Sequence, residues 1–376
     1  MRILHVTDHY QPVLGGIETH VATLAARQAA RGDEVAVVTS TPAAADGRRC
    51  DDSGPVRVRR ARTVVDASPF DFTTYDVVHA HVSVLAPFTS RMAAIAAHRG
   101  VPTVVTVHSM WSGLGPLAAL ASSLAGLRGA PVQWTAVSRE AAARLAPLLP
   151  GPPSVLVVPN AVEVPPRDPR PEVTSDGPVR LVSTMRLARR KRPLPLLTLF
   201  EQLRRSTTVP VHLTIVGDGP LRRRVEQRVR RRDLGGSVTL TGRLEPRDVQ
   251  RTLAGADLYV APATLESFGL AALEARCVGL PVVGRAASGL HEFVRDGVEG
   301  WLAPSDPAVV DRLRALVEDP LLRHRVSEHN RTCPSSLTWP NALGRNDVAY
   351  AAAAGRSAAR DRAPRAPRQR SGEAGR

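Results

Sequence analysis

Two carboxylates frame the most chemically informative segment of the chain. Glu266 and Glu274 lie eight residues apart in the run ESFGLAALEA, which follows a predicted strand. A helix that starts near Gly269 would direct its free backbone amides toward a bound phosphate. At ~1.5 Å of rise per helical residue the two carboxylates are separated by up to ~12 Å, whereas the carboxyl pair of a retaining glycosidase is only ~5–5.5 Å apart. The spacing favours the two ends of one long ligand, with Glu266 accepting sugar hydroxyls, Glu274 accepting ribose hydroxyls and a diphosphate between them.

The surroundings of Glu274 bear on the alternative that it is an ordinary exposed glutamate. Its helix also carries Leu270, Leu273, Cys277 and Val278. This composition predicts a mostly buried helix, in which an unpaired carboxylate is costly. We therefore expect Glu274 to have a ligand.

A basic cluster follows another predicted strand. The run MRLARRKR at 185–192 contains Lys191, the only lysine among the 50 basic residues of the chain. An arginine binds phosphate bidentately and a lysine binds it as a compact point charge. The cluster predicts a polyphosphate clamp made by Arg186 and Lys191, and its alternative is a solvated basic loop.

Two glycine pairs lie in loops that join a strand to a helix. Gly15 and Gly16 precede the first helix, where backbone amides can approach an anion closely, although a plain turn fits equally well. Gly217 and Gly219 form half of a dinucleotide-binding fingerprint, but Arg222 stands where the third glycine belongs. A tight turn is the better interpretation of the second pair.

Three histidines, His79, His81 and His108, fall at predicted strand ends. No HxxxH spacing and no acidic partner accompany them, and a DxD-type carboxylate pair is absent, so we predict no metal site. A lone histidine at a strand end is usually structural. His108 gains weight as a site residue because it faces the same predicted cleft.

These candidates belong to a regular alternation of short β-branched runs and amphipathic helices. Strands are predicted at 3–6, 34–40, 76–81, 103–108, 134–138, 155–159, 179–185, 212–217, 238–241, 258–262, 281–283 and 300–302. Helices are predicted at 17–31, 90–98, 117–127, 139–145, 194–205, 220–232, 246–254, 269–278 and 307–318. The alternation predicts an α/β protein with two Rossmann-like parallel-sheet domains that face a cleft, where ligands bind at the carboxyl ends of strands. We place the domains at 1–163 and 179–335, with a proline-rich linker at 164–178.

Composition narrows the class of protein. The 376 residues are 43% hydrophobic and 23% charged, typical of a globular chain of two domains. No run reaches the ~18 apolar residues of a membrane span, and the first apolar run is too short for a signal peptide, so we expect a cytoplasmic protein. The three cysteines exclude a disulfide framework. The net charge of +15 favours anionic partners such as phosphorylated ligands, acidic lipid surfaces or nucleic acid.

The end of the chain has a composition of its own. Residues 356–376 are rich in arginine, alanine, proline and glycine, which predicts a disordered basic tail that could contact an anionic membrane. The apolar stretch Leu114–Leu127 is either an acceptor- or membrane-contacting helix or, more in keeping with its composition, a buried core helix.

Taken together, the motifs resemble a known family. The segments GGIETHV, DVVHAH, TAVSR, VVPNAV, RLARRK, IVGDGPL, ESFGLAALEA, GLPVVG and DGVEGWLAP occur in order over about residues 1–345. They look like a retaining glycosyltransferase of family 4, which has the GT-B fold and a Glu-x7-Glu signature.

The resemblance implies a metal-independent transferase that moves a hexose from a nucleotide-diphosphate sugar with retained anomeric configuration. It needs no cofactor, and no nucleic-acid partner is expected. The leaving phosphate would take the acceptor proton on the same face of the sugar, with electrostatic stabilisation of the diphosphate supplying most of the catalysis. The acceptor stays open among lipid, glycan and small molecule.

The same resemblance assigns roles to residues of this chain. Arg186 and Lys191 would hold the diphosphate, Glu266 would contact the donor sugar, and His108 would reach toward that sugar from the first lobe. The predicted donor-binding residues are Gly15, Gly16, Ser267, Phe268, Gly269, Leu270 and Glu274. A helix at about 340–355 resembles the closing segment of the family, which returns to pack on the first lobe.

The chain departs from the family pattern at three positions. Met185 stands where glycine is usual and would crowd a phosphate, Ala161 replaces a glycine, and His291 replaces a frequent proline. None of these departures removes a charged site residue.

Two other functions remain as alternatives. A Rossmann-type oxidoreductase needs an intact glycine fingerprint with an acidic residue about 20 positions later, and the sequence offers none. A non-enzymatic polyanion-binding protein would use the arginine surface, and its binding would weaken steeply with salt.

Overall fold

The computed structural model describes most of the chain. The residues described are 1–362 without 14, 44–49, 53, 62, 64–70, 111–123, 125, 128, 150–153 and 164–176. The predicted linker therefore lies almost entirely outside the described residues. The stretch Leu114–Leu127 is described only in part, and its Leu124 and Leu127 are buried in the core of the first lobe.

The first lobe is built on an eight-stranded sheet. Its strands are β1 (Arg2–Thr7), β2 (Glu34–Thr39), β3 (Cys50–Asp51), β4 (Val56–Arg60), β5 (Val77–Val82), β6 (Thr103–Val107), β7 (Val132–Ala136) and β8 (Val155–Val157). The order is β3-β4-β2-β1-β5-β6-β7-β8, and every pairing is parallel except that of β3 with β4. Its helices are α1 (Gly16–Ala30), α2 (Pro87–His98) and α3 (Arg139–Leu145). Every residue of β5 and β6 is buried, including the polar His79 and His81 of β5.

The second lobe repeats the plan with six strands. They are β9 (Val179–Thr184), β10 (Val211–Val216), β11 (Val238–Gly242), β12 (Leu258–Ala261), β13 (Val282–Arg285) and β14 (Gly300–Ala303), in the all-parallel order β11-β10-β9-β12-β13-β14. The helices are α4 (Pro193–Ser206), α5 (Arg222–Arg231), α6 (Pro246–Ala254), α7 (Leu270–Cys277), α8 (Asp306–Glu318) and α9 (Pro320–Thr332). The predicted fold class, two parallel-sheet α/β lobes, is confirmed.

The last helix, α10 (Trp339–Arg362), crosses back to the first lobe. Tyr350 on this helix is buried in the core beside β1 and β5. Near its end Arg356 Nε donates to Gln133 Oε1 at 2.9 Å and Ser357 Oγ donates to the Gly100 carbonyl at 2.6 Å. The prediction of a disordered tail from residue 356 is thus wrong for 356–362, because these contacts with the first lobe are invisible to composition. Residues 363–376 lie outside the described residues.

Three elements were not predicted. Strands β3 and β4 form the edge of the first sheet, where arginines alternate with valine in β4 and give a polar sequence. Helix α9 lacks a strong apolar pattern and begins at Pro320, where Asp319 accepts a hydrogen bond from the Leu322 amide. None of the described helices is both long and apolar enough to cross a lipid bilayer.

The turn at Gly217 and Gly219 allows two backbone segments to pack closely. Both glycines have positive φ, and a Cβ at either position would overlap the backbone of the adjoining segment 185–187. That segment is held there because the Leu187 amide donates to the Asp218 carbonyl at 2.9 Å. The tight-turn interpretation is confirmed, and the loop that carries the basic cluster is thereby pressed against the second sheet.

Candidate active site

The predicted site residues of the second lobe gather at the carboxyl ends of β9 and β12. A small cavity of about 50 Å³ opens there. Its walls include Thr184, Lys191, Glu266, Gly269 and Leu290. The carboxyl edge of the sheet therefore brings together the basic cluster and the Glu266 segment, which are 75 residues apart in sequence.

Lys191 is positioned by a short, pinned turn. Residues Arg189–Lys191 form one 3-10 turn, and Arg192 follows in the left-handed region with φ of 57°. The Arg192 guanidinium donates to the Pro262 carbonyl at 2.9 Å and to the Asp306 carboxylate at 2.6 Å. These bonds compensate for the backbone conformation of Arg192, and the Arg192 guanidinium holds the pKa of Asp306 below its usual range.

Lys191 and Glu266 form an ion pair with each other. Lys191 Nζ donates to Glu266 Oε2 at 2.5 Å, and the two side chains are 27% and 16% exposed. Sequence reasoning assigned them to different parts of the ligand and did not foresee this contact. Both charged groups are half-buried, and an unpaired buried charge is costly. The ion pair therefore stabilises each group with the opposite charge of the other.

Arg186 lies immediately after β9. Its side chain is exposed and forms no ion pair with any residue that the structure describes. The neighbouring Met185 is buried in the core of the second lobe and also lines the cavity. A free guanidinium therefore stands at the cleft edge, next to the paired Lys191.

The segment before α7 is held by close backbone packing. Gly269 caps the helix with φ of 94°, and a Cβ there would lie 2.5 Å from Leu290 Cδ2. The Glu266 carbonyl accepts a hydrogen bond of 2.7 Å from the Gly289 amide. Phe268 is buried against Phe293 and anchors the loop. The buried Phe268 ring leaves only its backbone for the predicted donor contact, whereas the side chain of Ser267, whose carbonyl packs against Gly289, is partly exposed.

The first lobe places a second helix N-terminus opposite the first. Helix α1 begins at Gly16 after an extended Gly15, and a Cβ on Gly16 would lie 3.7 Å from Leu270 Cδ1. The starts of α1 and α7, on different lobes, therefore lie side by side. Each helix start carries unpaired amides and the positive end of a dipole, so this junction is suited to a polyanion.

Glu274 differs from what its helix composition predicts. Helix α7 buries Ala272, Leu273 and Ala275, but the Glu274 side chain itself is exposed. The surrounding protein nevertheless desolvates the carboxyl and raises its pKa to about 7. Both facts fit a group that solvent reaches in a recess of the cleft, and among the described residues Glu274 has no hydrogen-bond or ion-pair partner.

The arrangement of the histidines differs most from the sequence prediction. His79 and His81 lie within β5, and only His108 follows the end of its strand. The parallel register pairs His5 of β1 with His79, and His108 Nε2 lies 3.0 Å from His81 Nδ1. Sequence reasoning missed His5, although two histidines at matching positions of neighbouring strands are a usable signal.

This buried histidine group, defined as His5, His20, His79, His81 and His108, is almost fully removed from water. Burial lowers the pKa of His5 and of His20 to about 4 and lowers those of the other three well below 6.5. Nitrogens of His5, His79 and His81 lie within 4.8 Å of one another, close enough to consider a metal ion. In the structure all six of their ring nitrogens already have polar neighbours within the protein.

Comparison with known families gives the class of protein. The family model described as Glycosyl transferases group 1 matches residues 166–332, and that of Glycosyltransferase Family 4 matches residues 14–164. The two matches adjoin and follow the two lobes. The chain belongs to the glycosyltransferases of this group 1 and family 4 type.

Individual relatives agree with this assignment. An α-D-kanosaminyltransferase of Streptomyces kanamyceticus is 30% identical over 132 residues, 35% of this chain and 34% of that protein. A glycogen synthase of Mycobacterium tuberculosis is 27% identical over an alignment of 401 residues, which spans 94% of this chain and 95% of the relative. Among solved structures, HepE of Anabaena in complex with UDP and glucose has a TM-score of 0.73 at 18% identity and covers 93% of this chain and 99% of its own. The last comparison shows a shared GT-B fold.

The buried histidines make stability dependent on pH. The pKa of His20 is about 4 in the folded protein and about 6.5 when unfolded, so between these values the unfolded state binds the extra proton. The free energy of unfolding contributed by His20 is therefore complete above pH 6.5 and falls as the pH drops toward 4. We expect His20→Phe to reduce this slope by roughly 1.4 kcal/mol per pH unit, measured by urea denaturation from pH 7 to 5.

The exposed His324 provides the control for this measurement. The variant His324→Gln should keep the slope of the parent protein. An equal slope in His20→Phe and the parent protein would show that His20 already carries a proton in the fold.

Proposed function

We propose that the protein is a metal-independent retaining glycosyltransferase that moves a hexose from a nucleotide-diphosphate sugar to an acceptor hydroxyl. One observation carries the proposal: the N-termini of α1 and α7 meet at Gly16 and Leu270, beside the Lys191 and Glu266 pair. Backbone amides and an ammonium group converging from two lobes suit the diphosphate of a donor. The complex of HepE with UDP and glucose supports a nucleotide-sugar donor by analogy of fold.

In this proposal the diphosphate exchanges partners with the site. Arg186 is free to bind a phosphate oxygen, while Lys191 is held by Glu266. An arriving diphosphate carries more negative charge than the carboxylate, so it draws the ammonium group away. Glu266 is then released and can accept hydrogen bonds from the hydroxyls of the donor sugar. The exchange ties sugar recognition to phosphate binding.

The chemistry then needs electrostatic stabilisation more than a nucleophile. Charge develops on the leaving diphosphate, which the amides of Phe268, Gly269 and Leu270 and the cations Arg186 and Lys191 surround. The departing phosphate accepts the proton of the attacking hydroxyl on the same face of the sugar. The new glycosidic bond therefore forms where the old one breaks, which retains the anomeric configuration.

One feature of the structure disfavours an oxidoreductase. Such an enzyme would need room for a pyrophosphate at Gly217 and Gly219, but the backbone of 185–187 fills that turn. A polyanion-binding surface on α5 would need free arginines. Arg222 there is paired with Asp218 and Glu226, and Arg228 is paired with Glu201. The exposed side chains of Arg223, Arg224, Arg230 and Arg231 form no ion pair with the residues that the structure describes, so a polyanion-binding protein is separated from the transferase by the salt dependence of its binding and by turnover of a nucleotide sugar.

The phosphate clamp predicts a selective loss of turnover. Lys191→Ala should lower kcat by about 10² to 10³, because one charge that stabilises the leaving group is removed. Arg186→Ala should act in the same direction. Hydrolysis or transfer is measured with UDP-, GDP- and ADP-sugars, after thermal shift has identified which donor binds.

Arg190 supplies the matched control, because it lies in the same 3-10 turn as Lys191 and is exposed. Arg190→Ala should retain nearly the turnover of the parent protein. Full turnover in Lys191→Ala would refute the clamp.

The role of Glu274 predicts a loss of nucleotide affinity. Glu274→Ala should weaken binding of the free nucleoside diphosphate by about 10- to 100-fold, because a charged acceptor for the ribose hydroxyls contributes roughly 1.5–3 kcal/mol. Calorimetry measures this affinity without turnover. Glu318→Ala on α8, another exposed glutamate of the same lobe, is expected to bind as the parent does, and unchanged affinity in Glu274→Ala would reject the ribose role.

We further propose that the enzyme works in the cytoplasm and touches anionic membranes through its C-terminal end. Residues 363–376 carry Arg365, Arg368, Arg370 and Arg376 against the single acid Glu373. Each basic residue near an anionic lipid surface contributes about 1 kcal/mol. Removing 363–376 should preserve turnover and reduce sedimentation with vesicles that contain phosphatidylserine. Equal sedimentation of both proteins would exclude this contact.

A further inference from the structure

We propose that a directed chain of buried hydrogen bonds, from Thr135 through Tyr350 of α10 to His108, sets which ring nitrogen of His108 carries the proton and leaves Nδ1 as a hydrogen-bond acceptor. The chain makes Gln28, His5, His81 and Tyr350 positioning residues for His108. Its effect on turnover rests on the proposed function, because that function assigns His108 to the donor sugar. Its existence in the free protein can be tested without turnover.

The chain has eight members and no gaps. Successive pairs are His108–His81 at 3.0 Å, His81–His5 at 2.9 Å, His5–Gln28 at 2.6 Å, Gln28–Tyr350 at 2.8 Å, Tyr350–His79 at 3.0 Å, His79–Thr106 at 2.7 Å and Thr106–Thr135 at 2.5 Å. At its far end the Thr135 hydroxyl reaches the Val105 carbonyl at 3.4 Å. The members come from β1, β5, β6 and β7 and from α1 and α10, so the chain crosses the first lobe.

The far end sets the direction of the first half. A backbone carbonyl can only accept, so the Thr135 hydroxyl donates to Val105. Thr106 then donates to Thr135, and His79 Nε2–H donates to Thr106. His79 Nδ1 therefore accepts, and its donor is the Tyr350 hydroxyl.

The second half follows through Gln28. The Tyr350 oxygen accepts from the Gln28 amide nitrogen, which leaves Gln28 Oε1 to accept from His5 Nε2–H. His5 Nδ1 then accepts from His81 Nε2–H, and His81 Nδ1 accepts from His108 Nε2–H. The tautomer of His108 is thus Nε2–H, with the lone pair on Nδ1.

This ordering requires each histidine to be neutral, with one donor and one acceptor. The burial that depresses the pKa of His5 to about 4 and those of His79, His81 and His108 well below 6.5 meets the requirement. A protonated histidine in the chain would present two donors and break it. The nearest other titratable ring is His20, whose centroid lies 5.6 Å from that of His108 and which is also neutral.

As a consequence, the first lobe presents a hydrogen-bond acceptor to the proposed ligand site. His108 Nδ1 has no partner among the residues that the structure describes, and as a lone-pair nitrogen it accepts a hydrogen bond. Its ligand is therefore a donor group, which in a sugar is a hydroxyl. A sugar that presents only an ether or a deoxy carbon there leaves the nitrogen unpaired, at a cost of about tenfold in affinity or more.

The same contacts decide against a metal ion at His5, His79 and His81. A metal would need lone pairs from all three rings at one point, yet His79 uses both nitrogens on Tyr350 and Thr106. Binding it would break the chain on both sides of Gln28. A metal content of one ion per chain in the purified protein would therefore overturn the proposal.

The direct test reads the histidine tautomers by NMR. The full chain is labelled with ¹⁵N in the histidine rings, and long-range ¹H–¹⁵N correlations at pH 7.5 distinguish the protonated from the unprotonated nitrogen. His108 is assigned by the signal that is lost in His108→Gln. We expect the Nε2–H tautomer for His5, His81 and His108 in the free parent protein, and an Nδ1–H signal for His108 would overturn the proposal.

The positioning role is tested by removing one hydroxyl. Tyr350→Phe keeps the ring but leaves the Gln28 amide without its acceptor, so we expect His108 to show a mixture of both tautomers. Tyr75→Phe removes a phenol outside the chain and should leave the spectrum of His108 unchanged. A pure Nε2–H signal for His108 in Tyr350→Phe would refute the positioning role.

Turnover adds a second readout where a donor has been found. Tyr350→Phe should reduce use of the nucleotide sugar about tenfold while affinity for the free nucleoside diphosphate stays unchanged. Loss of nucleotide affinity together with turnover would indicate a general structural defect and count against the role. If the parent protein turns over no donor, the proposed function fails, whereas the tautomer measurement still decides the chain.

Discussion

The meeting of two helix N-termini is the constraint on which the candidate site depends. Helices α1 and α7 belong to different sheets, yet a Cβ on Gly16 would lie only 3.7 Å from Leu270. Each helix start carries the positive end of a dipole, so the junction is suited to a negatively charged ligand. The Lys191 and Glu266 pair beside the junction supplies one charge of each sign for an arriving ligand to rearrange.

The first lobe carries an unusual polar interior beneath that junction. His5, His79 and His81 stand on strands of a parallel sheet where aliphatic side chains are expected, and His20, His108, Gln28 and Tyr350 are buried around them. Such groups can be buried because nearly all of them are hydrogen-bonded to one another, and an unpaired one would cost more than it contributes. Helix α10 takes part through Tyr350, so the segment that closes the chain is bound into the interior of the lobe that opens it. Helix α10 is therefore attached to the first lobe by hydrogen bonds as well as by apolar contacts.

The local sequence predicted the surroundings of a residue correctly where its residue type is suited to only one structural role. The lone Lys191 after β9, Gly269 at the start of α7 and the Gly217 turn all have the neighbourhoods that their types predict. It was uninformative where the outcome depends on contacts far along the chain. The helix through Arg362 forms because Arg356 and Ser357 bond to the first lobe, and the recess that raises the pKa of Glu274 depends on surrounding protein that helix periodicity does not reveal.

The sequence by itself determined the two α/β lobes, the family and three residues that line the cavity, Lys191, Glu266 and Gly269, because strand and helix periods and short glycine and charge motifs are local properties. Only the tertiary structure decided which of these residues meet. It paired Lys191 with Glu266 across 75 residues, set His5 beside His79 through strand order, and joined Gln28 to Tyr350 across 322 residues. These contacts depend on sheet topology and on the return of α10, and side-chain chemistry at a single position does not encode its distant partner.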